Sequence, residues 1–209
     1  MKPRDAKANV GVLPARRLKL VTAHRSRPRR GERECGDRIV VRSEDGWTLL
    51  CVIDALGHGP EAAQVADVAA RVAGQVELRQ GSLRVIHAMH EALRGTRGAA
   101  AMACVVEQDG LVRGCGVGNV ELRSSPRQVP SVLSSGILGA QVRSFKPFEG
   151  RLDPRTRLMM FSDGIATTRL AAERFDALSA QQACDRILDT CSHEHDDAAI
   201  LVADVEEDP

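Results

Sequence analysis

Apolar positions recur along this chain with two distinct periods. Arg38–Arg42 (RIVVR) and Trp47–Asp54 (WTLLCVID) are short apolar runs flanking Ser43-Glu44-Asp45-Gly46. An Asp-Gly pair between such runs predicts a β-hairpin. Gly57-His58-Gly59-Pro60 then breaks the second strand, and Pro60 suits the first position of a helix. Ala62, Ala63, Val65, Ala66, Val68, Ala69, Val72, Ala73 and Val76 follow at helical spacing, predicting a long amphipathic helix. Ser82 is read as the cap of a second helix, LRVIHAMHEAL, ending at Gly95.

A strand-rich stretch comes next. AAAMACVVE and LVRGCGVG are joined by Gln108-Asp109-Gly110, a second hairpin turn, and NVELR continues the pattern. After a polar Ser/Pro loop over 124–136, QVRSF and Arg157–Phe161 (RLMMF) read as further strands. Helical spacing returns in LAAERFDALSAQQACDRILDTC, and AAILVADV is a closing strand. Hairpins outnumber βαβ units, and helices fall in pairs between blocks of strands. That order predicts an α+β fold, with antiparallel sheets and helices outside them.

Composition narrows the function classes. A chain of 209 residues is one domain plus a tail: a basic leader with an edge strand over 1–34, a domain over 35–205 and an acidic tail over 206–209. Lys+Arg 29 against Asp+Glu 28 leaves a net charge of +1, so no global basic field argues for nucleic acid. Aromatics are 2%, with no Tyr and Trp47 the single Trp, which leaves almost nothing to stack bases on. Basic residues from Lys2 to Arg33 crowd the leader. A solvated segment is the favoured reading there, and an arm for nucleic acid or an acidic partner the alternative.

Cys35, Cys51, Cys104, Cys115, Cys184 and Cys191 form no C-x-x-C pair and read as reduced, buried thiols. No apolar run approaches the roughly 18–20 residues of a membrane span, and the N-terminus lacks the apolar stretch of a signal peptide. The expectation is a soluble cytoplasmic protein.

Four acids sit where strands end: Asp37 in CGD, Asp54 in VIDALGHG, Asp163 in FSDG and Asp196 in HDDAAI. Any one alone reads as a turn or cap residue. Four converging in a partly buried cleft would repel one another unless cations neutralised them. Four carboxylates and two divalent ions sum to zero, and oxygen-only donors point to Mg²⁺ or Mn²⁺ rather than zinc. His58 and Arg33 are the substrate-binding candidates: His58 as an imidazole that hydrogen-bonds the loop or phosphate rim, favoured over a proton donor, and Arg33 on a substrate phosphate, with plain solvation as its favoured alternative. His87 and His90, one helical turn apart, read as packing residues, and Cys191, His193 and His195 as a weak zinc candidate.

The ordered series C-G-D (35–37), V-I-D-A-L-G-H-G (52–59), G-V-G-N (116–119), G-I-L-G (136–139), F-S-D-G-I (161–165) and D-D-A-A-I (196–200) resembles the PPM-type serine/threonine phosphatases of bacterial signalling. Within them it resembles the SpoIIE/RsbU group, and most the short stand-alone RsbX type. The resemblance implies a central antiparallel β-sandwich flanked by helices on both outer faces. It implies Asp54 bridging two divalent cations, Mn²⁺ or Mg²⁺, with the Ala55 carbonyl on one of them. Asp163 and Asp196 would complete the other ion, and Asp37 would hold the ion on the Asp54/Ala55 side.

The implied activity is hydrolysis of phosphoserine or phosphothreonine by metal-activated water, without a covalent intermediate. The implied partner is a phosphorylated STAS-domain protein of a stressosome or partner-switching pathway. Three positions depart from the family pattern: Ala199 stands where Thr is usual, and Cys35 and Ala55 where Gly is usual. The alternative is a non-catalytic module of the same fold that docks a STAS partner. No membrane partner is expected, and nucleic acid is the least favoured one.

Overall fold

The computed structural model describes residues 17–130 and 132–208. In chain order the strands are β1 (Leu18–Arg27), β2 (Asp37–Glu44), β3 (Trp47–Ala55), β4 (Ala99–Glu107), β5 (Leu111–Val117), β6 (Glu121–Ser125), β7 (Leu133–Ser134), β8 (Phe148–Arg151), β9 (Arg157–Phe161) and β10 (Ala198–Glu207). The helices are α1 (Gly59–Ala73), α2 (Gly81–Ala92), α3 (Thr167–Ala172) and α4 (Ala180–Cys191). One sheet runs β1-β10-β9-β6; the other runs β2-β3-β4-β5-β7, with β8 also against β5. The β5–β7 pair is parallel, and the remaining strand pairs of the described residues are antiparallel.

The two sheets lie face to face, which explains why β3 and β10 read as unbroken apolar runs. Successive side chains on a strand point to opposite faces, and here both faces are covered. Leu50 and Val52 of β3 meet Leu201, Ala203 and Val205 of β10 between the sheets. On the other face of β3, Leu49, Cys51 and Ile53 pack under Ala62, Ala66 and Ala69 of α1 and Ile86 and Met89 of α2. On the other face of β10, Ile200 and Val202 pack under Leu170 of α3 and Cys184 and Ile187 of α4. The result is helix, sheet, sheet, helix, the layering expected from the sequence. The alanine stripe of α1 lets that helix lie close to its sheet.

The Asp45-Gly46 hairpin is present, with both residues at positive φ, as a two-residue turn requires. Two local expectations are corrected. Ser82 caps nothing: a 3₁₀ turn over Leu78–Gln80 runs straight into α2, so the helix starts at Gly81 and Ser82 is buried within its first turn. QVRSF is not a strand, because Val142 and Phe145 pack as loop residues against the core under α2, and β8 forms three residues later instead. Within the segment read as a leader, residues 18–27 form β1, an edge strand paired along its length with β10. The leader's basic residues from Lys2 to Arg16 lie outside the described residues. Glu206 and Glu207 of the acidic tail lie within β10.

All six cysteines are buried and unbonded, as expected. Among the described residues no helix is long and apolar enough to cross a membrane.

Candidate active site

Sheet register brings the four acids to one end of the sandwich. Asp37 opens β2 and Asp54 is next to last in β3, directly opposite it in the β2–β3 register. Asp163 lies two residues beyond β9 and Asp196 two before β10, and those strands pair with Ile200 opposite Phe161. The turn after β9 is tight: a Cβ at Gly164 would stand 1.9 Å from the Asp197 carbonyl oxygen. Only glycine lets the two chain segments approach this closely.

The four carboxylates act on one another. Burial pushes Asp54 up to about 9, and the charges of Asp37 and Asp163, a hydrogen bond with Asp163 and the charge of Asp196 add to the shift. Burial likewise pushes Asp37 up to about 7; the Ser162 hydrogen bond opposes the rise, while Asp197, Asp163 and Asp196 reinforce it. Asp196 is raised by burial first and by Asp163 second. Each shift has the sign expected of like charges gathered in a partly buried place.

Neighbouring groups hold these acids in position. The Ser162 hydroxyl donates to Asp37 Oδ2 at 2.6 Å and accepts from the Ala199 N–H at 2.9 Å. Asn119 Nδ2 donates to Asp163 Oδ2 at 2.5 Å. Asn119 reaches it from the turn between β5 and β6, where Gly118 has φ +88° and a Cβ would meet the Ala100 Cβ at 2.5 Å. The Asp197 N–H donates to Asp196 Oδ1 at 2.9 Å. Asp197 itself is buried, and its carboxylate accepts from the N–H groups of Arg29 and Gly36, both at 2.7 Å. It thereby ties the 28–36 loop to the start of β10.

Ser162, Asn119 and Asp197 all stand inside motifs quoted from the sequence, yet sequence reasoning gave none of them a role. Their partners are set by strand register, which no spacing rule along one segment reveals.

The remaining candidates are placed as follows. His58 precedes α1, and its Nδ1 lies 2.9 Å from Glu32 Oε1, so the imidazole is engaged by the 28–36 loop. Arg33, next along that loop, is exposed and makes no hydrogen bond or ion pair among the described residues. His87 and His90 both pack on Phe145, with ring centroids at 4.2 and 5.7 Å.

Among the described residues no three His, Cys, Asp or Glu side chains stand in metal-holding geometry. For Cys191, His193 and His195 this removes the zinc reading: Cys191 points into the core under α4, while the two histidine rings lie 5.2 Å apart outside it. The aspartates' donor chemistry still fits hard divalent cations. It is all oxygen, gathered against electrostatic repulsion, and Asp37, Asp163 and Asp196 are each held by a neighbouring donor.

Comparison with known proteins agrees with this fold. The chain matches the family model described as Stage II sporulation protein E (SpoIIE) over residues 44–206. No curated protein sequence matches it. Among solved structures it is similar to a chain from work on "the bacterial stressosome: a modular system that has been adapted to control secondary messenger signaling", at 30% identity and TM-score 0.76, covering 88% of this chain and 99% of that one. It is similar in fold to RsbX in complex with magnesium, at 17% identity and TM-score 0.74, covering 91% and 100%. It is similar in fold also to the serine/threonine phosphatase PstP/Ppp of Mycobacterium tuberculosis, at 15% identity and TM-score 0.69, covering 90% and 99%.

Proposed function

Because the chain belongs to the SpoIIE family of PPM-type protein serine/threonine phosphatases, we propose that it removes phosphate from phosphoserine or phosphothreonine on a STAS-domain protein of a stressosome or partner-switching pathway. Its phosphatase domain spans 35–205, completed by β1. The observation that carries this reading is the convergence of Asp37, Asp54, Asp163 and Asp196 from four separate chain segments, with three of them raised first by burial and then by neighbouring carboxylates.

These four side chains and the Ala55 carbonyl would hold two divalent cations, Mn²⁺ or Mg²⁺. When bound, such a pair supplies an activated water near neutral pH and neutralises charge on the phosphoryl oxygens. The chain's own part is to fix the donors. Asp37 and Asp54 face each other across one sheet, while Asp163 and Asp196 flank the facing strands of the other. Arg33, exposed and unpartnered among the described residues, is suited to a substrate phosphate oxygen. His58, held by Glu32, would support the rim beside it.

The stressosome wording attached to the 30% identical structure, and the magnesium-bound RsbX of similar fold, support the choice of partner pathway and cation class. Six unbonded buried thiols suit a reducing cytoplasm. Phosphate release from a phosphorylated STAS protein, with and without Mn²⁺, tests the reading beside Asp54→Asn. Manganese-dependent release that the variant loses is expected. Binding without release would mean a docking module, and neither would overturn the assignment of substrate.

A further inference from the structure

At the end of β9 the backbone ladder to β10 is completed by a side chain. The Ser162 N–H donates to the Ala199 carbonyl at 3.1 Å in the usual way. The returning Ala199 N–H, however, goes to the Ser162 hydroxyl oxygen at 2.9 Å, and the Ser162 carbonyl instead accepts from the Ile165 N–H at 3.1 Å as the chain turns through Asp163-Gly164. Ser162 and Asp37 are each 1% exposed, so water does not compete for the hydroxyl.

A serine hydroxyl has one proton and two lone pairs. With the Ala199 N–H aimed at the oxygen, one lone pair is taken and the proton has one carboxylate within reach, Asp37 Oδ2 at 2.6 Å. The polarity of the chain Ala199 N–H, Ser162 O–H, Asp37 is therefore fixed by the sheet. A hydroxyl with no freedom to turn round presents its donor to one carboxylate oxygen and so holds that side chain in one orientation. Ala199 offers no hydroxyl of its own, so Ser162 is the hydroxyl at this point.

Resting on the cation-holding site proposed above, we infer that Ser162 is a positioning residue. Its backbone-locked hydroxyl orients the buried Asp37 carboxylate for a divalent cation. It thereby links the end of the β9–β10 pair to the β2–β3 pair across the sandwich. Groups that orient a metal ligand in this way typically contribute about 10- to 100-fold to metal affinity.

Mn²⁺ binding measured by calorimetry on the folded, metal-free chain tests this without reference to turnover. Ser162→Ala is expected to weaken Mn²⁺ binding by about 10- to 100-fold, and Ser162→Thr, which keeps the hydroxyl, to restore most of it. In an Asp37→Asn background Ser162→Ala is expected to cost nothing further. Wild-type affinity in Ser162→Ala, or an equal loss in the Asp37→Asn background, would overturn the inference. If Ser162→Ala does not fold, Ser162→Cys serves in its place: its weaker donor should give a smaller loss, and unchanged affinity would overturn the inference. Absence of Mn²⁺ binding by the unmutated chain would instead overturn the cation site itself. Loss of binding in Asp54→Asn beside an unaffected Ser162→Ala would sink the positioning role alone.

Discussion

At the hairpin end of the sandwich, acidic side chains have cationic partners. Asp109 meets Arg151 at 3.2 Å, Glu149 meets Arg113 at 3.1 Å, and Glu206 meets Lys19 at 3.3 Å. At the opposite end Asp37, Asp54, Asp163 and Asp196 have no Lys or Arg in ion-pair contact among the described residues; the charges that raise them are one another's and that of Asp197. The same residue type responds in opposite directions. Asp109 is held below the usual carboxylate range, first by the Leu111 N–H and then by Arg151, whereas Asp54 is driven well above it. One end obeys the rules of a stable surface. The other departs from them in the way functional sites do, and backbone donors and glycine-tight turns hold it together instead.

The largest expected effect that would break this contrast is in turnover. Asp54→Asn should lower phosphate release by on the order of 10³-fold or more, equivalent to about 4 kcal/mol of barrier. The same change should leave the thermal midpoint of the metal-free chain unchanged or higher, because it removes one member of a mutually repelling group. A variant that keeps wild-type release would end the proposed role of this end of the molecule.

The second effect is on the pH dependence of stability. Asp37 and Asp54 bind protons in the folded chain up to about 7 and about 9, against an ordinary value of 3.8. Between those limits the folded form holds protons that the unfolded chain has released. Stability of the metal-free protein therefore falls as pH rises from about 4 towards 9. Thermal melts across that range should show the decline, Asp54→Asn should flatten it, and added Mn²⁺ should oppose it. A rising curve would contradict the electrostatics described.

Smaller again is Asn119→Ala, which removes the donor from Asp163 Oδ2. Calorimetry should show about a tenfold loss of Mn²⁺ affinity. The smallest change is expected at the hairpin end. Arg151→Ala breaks an exposed pair, so chemical denaturation should register less than ~1 kcal/mol, and phosphate release should be unchanged. A large loss there would mean the two ends are not independent.

What was legible in the sequence follows local chemistry. Asp45-Gly46 announces its turn because both residues tolerate positive φ, and Asp54 and Asp163 stand out because each ends an apolar run beside a glycine or small-residue loop. The edge strand expected in the 1–34 segment could not be given bounds, because only Ala23 of the ten residues of β1 is buried and the strand carries almost no apolar pattern. QVRSF misled because Val142 and Phe145 are buried in part by loop packing, which has no period. Ser162 was invisible for a different reason. Its role depends on facing Ala199 across one sheet and Asp37 across the sandwich, and those relations exist only once the chain is folded.

The pairing of β1 with β10 also has a consequence for how the molecule is made. β1 is synthesised early, and β10, its one strand partner among the described residues, lies at the far end of the described chain. β10 is also the strand that β9 needs on its other side. Until β10 emerges, β1 has no ladder to join and β9 presents an open edge. Contacts between such distant segments slow folding and leave unpaired strands available to wrong partners. Assembly of this sheet is therefore a late event, while the β2–β3 and β4–β5 hairpins, whose strands are neighbours in sequence, can form first.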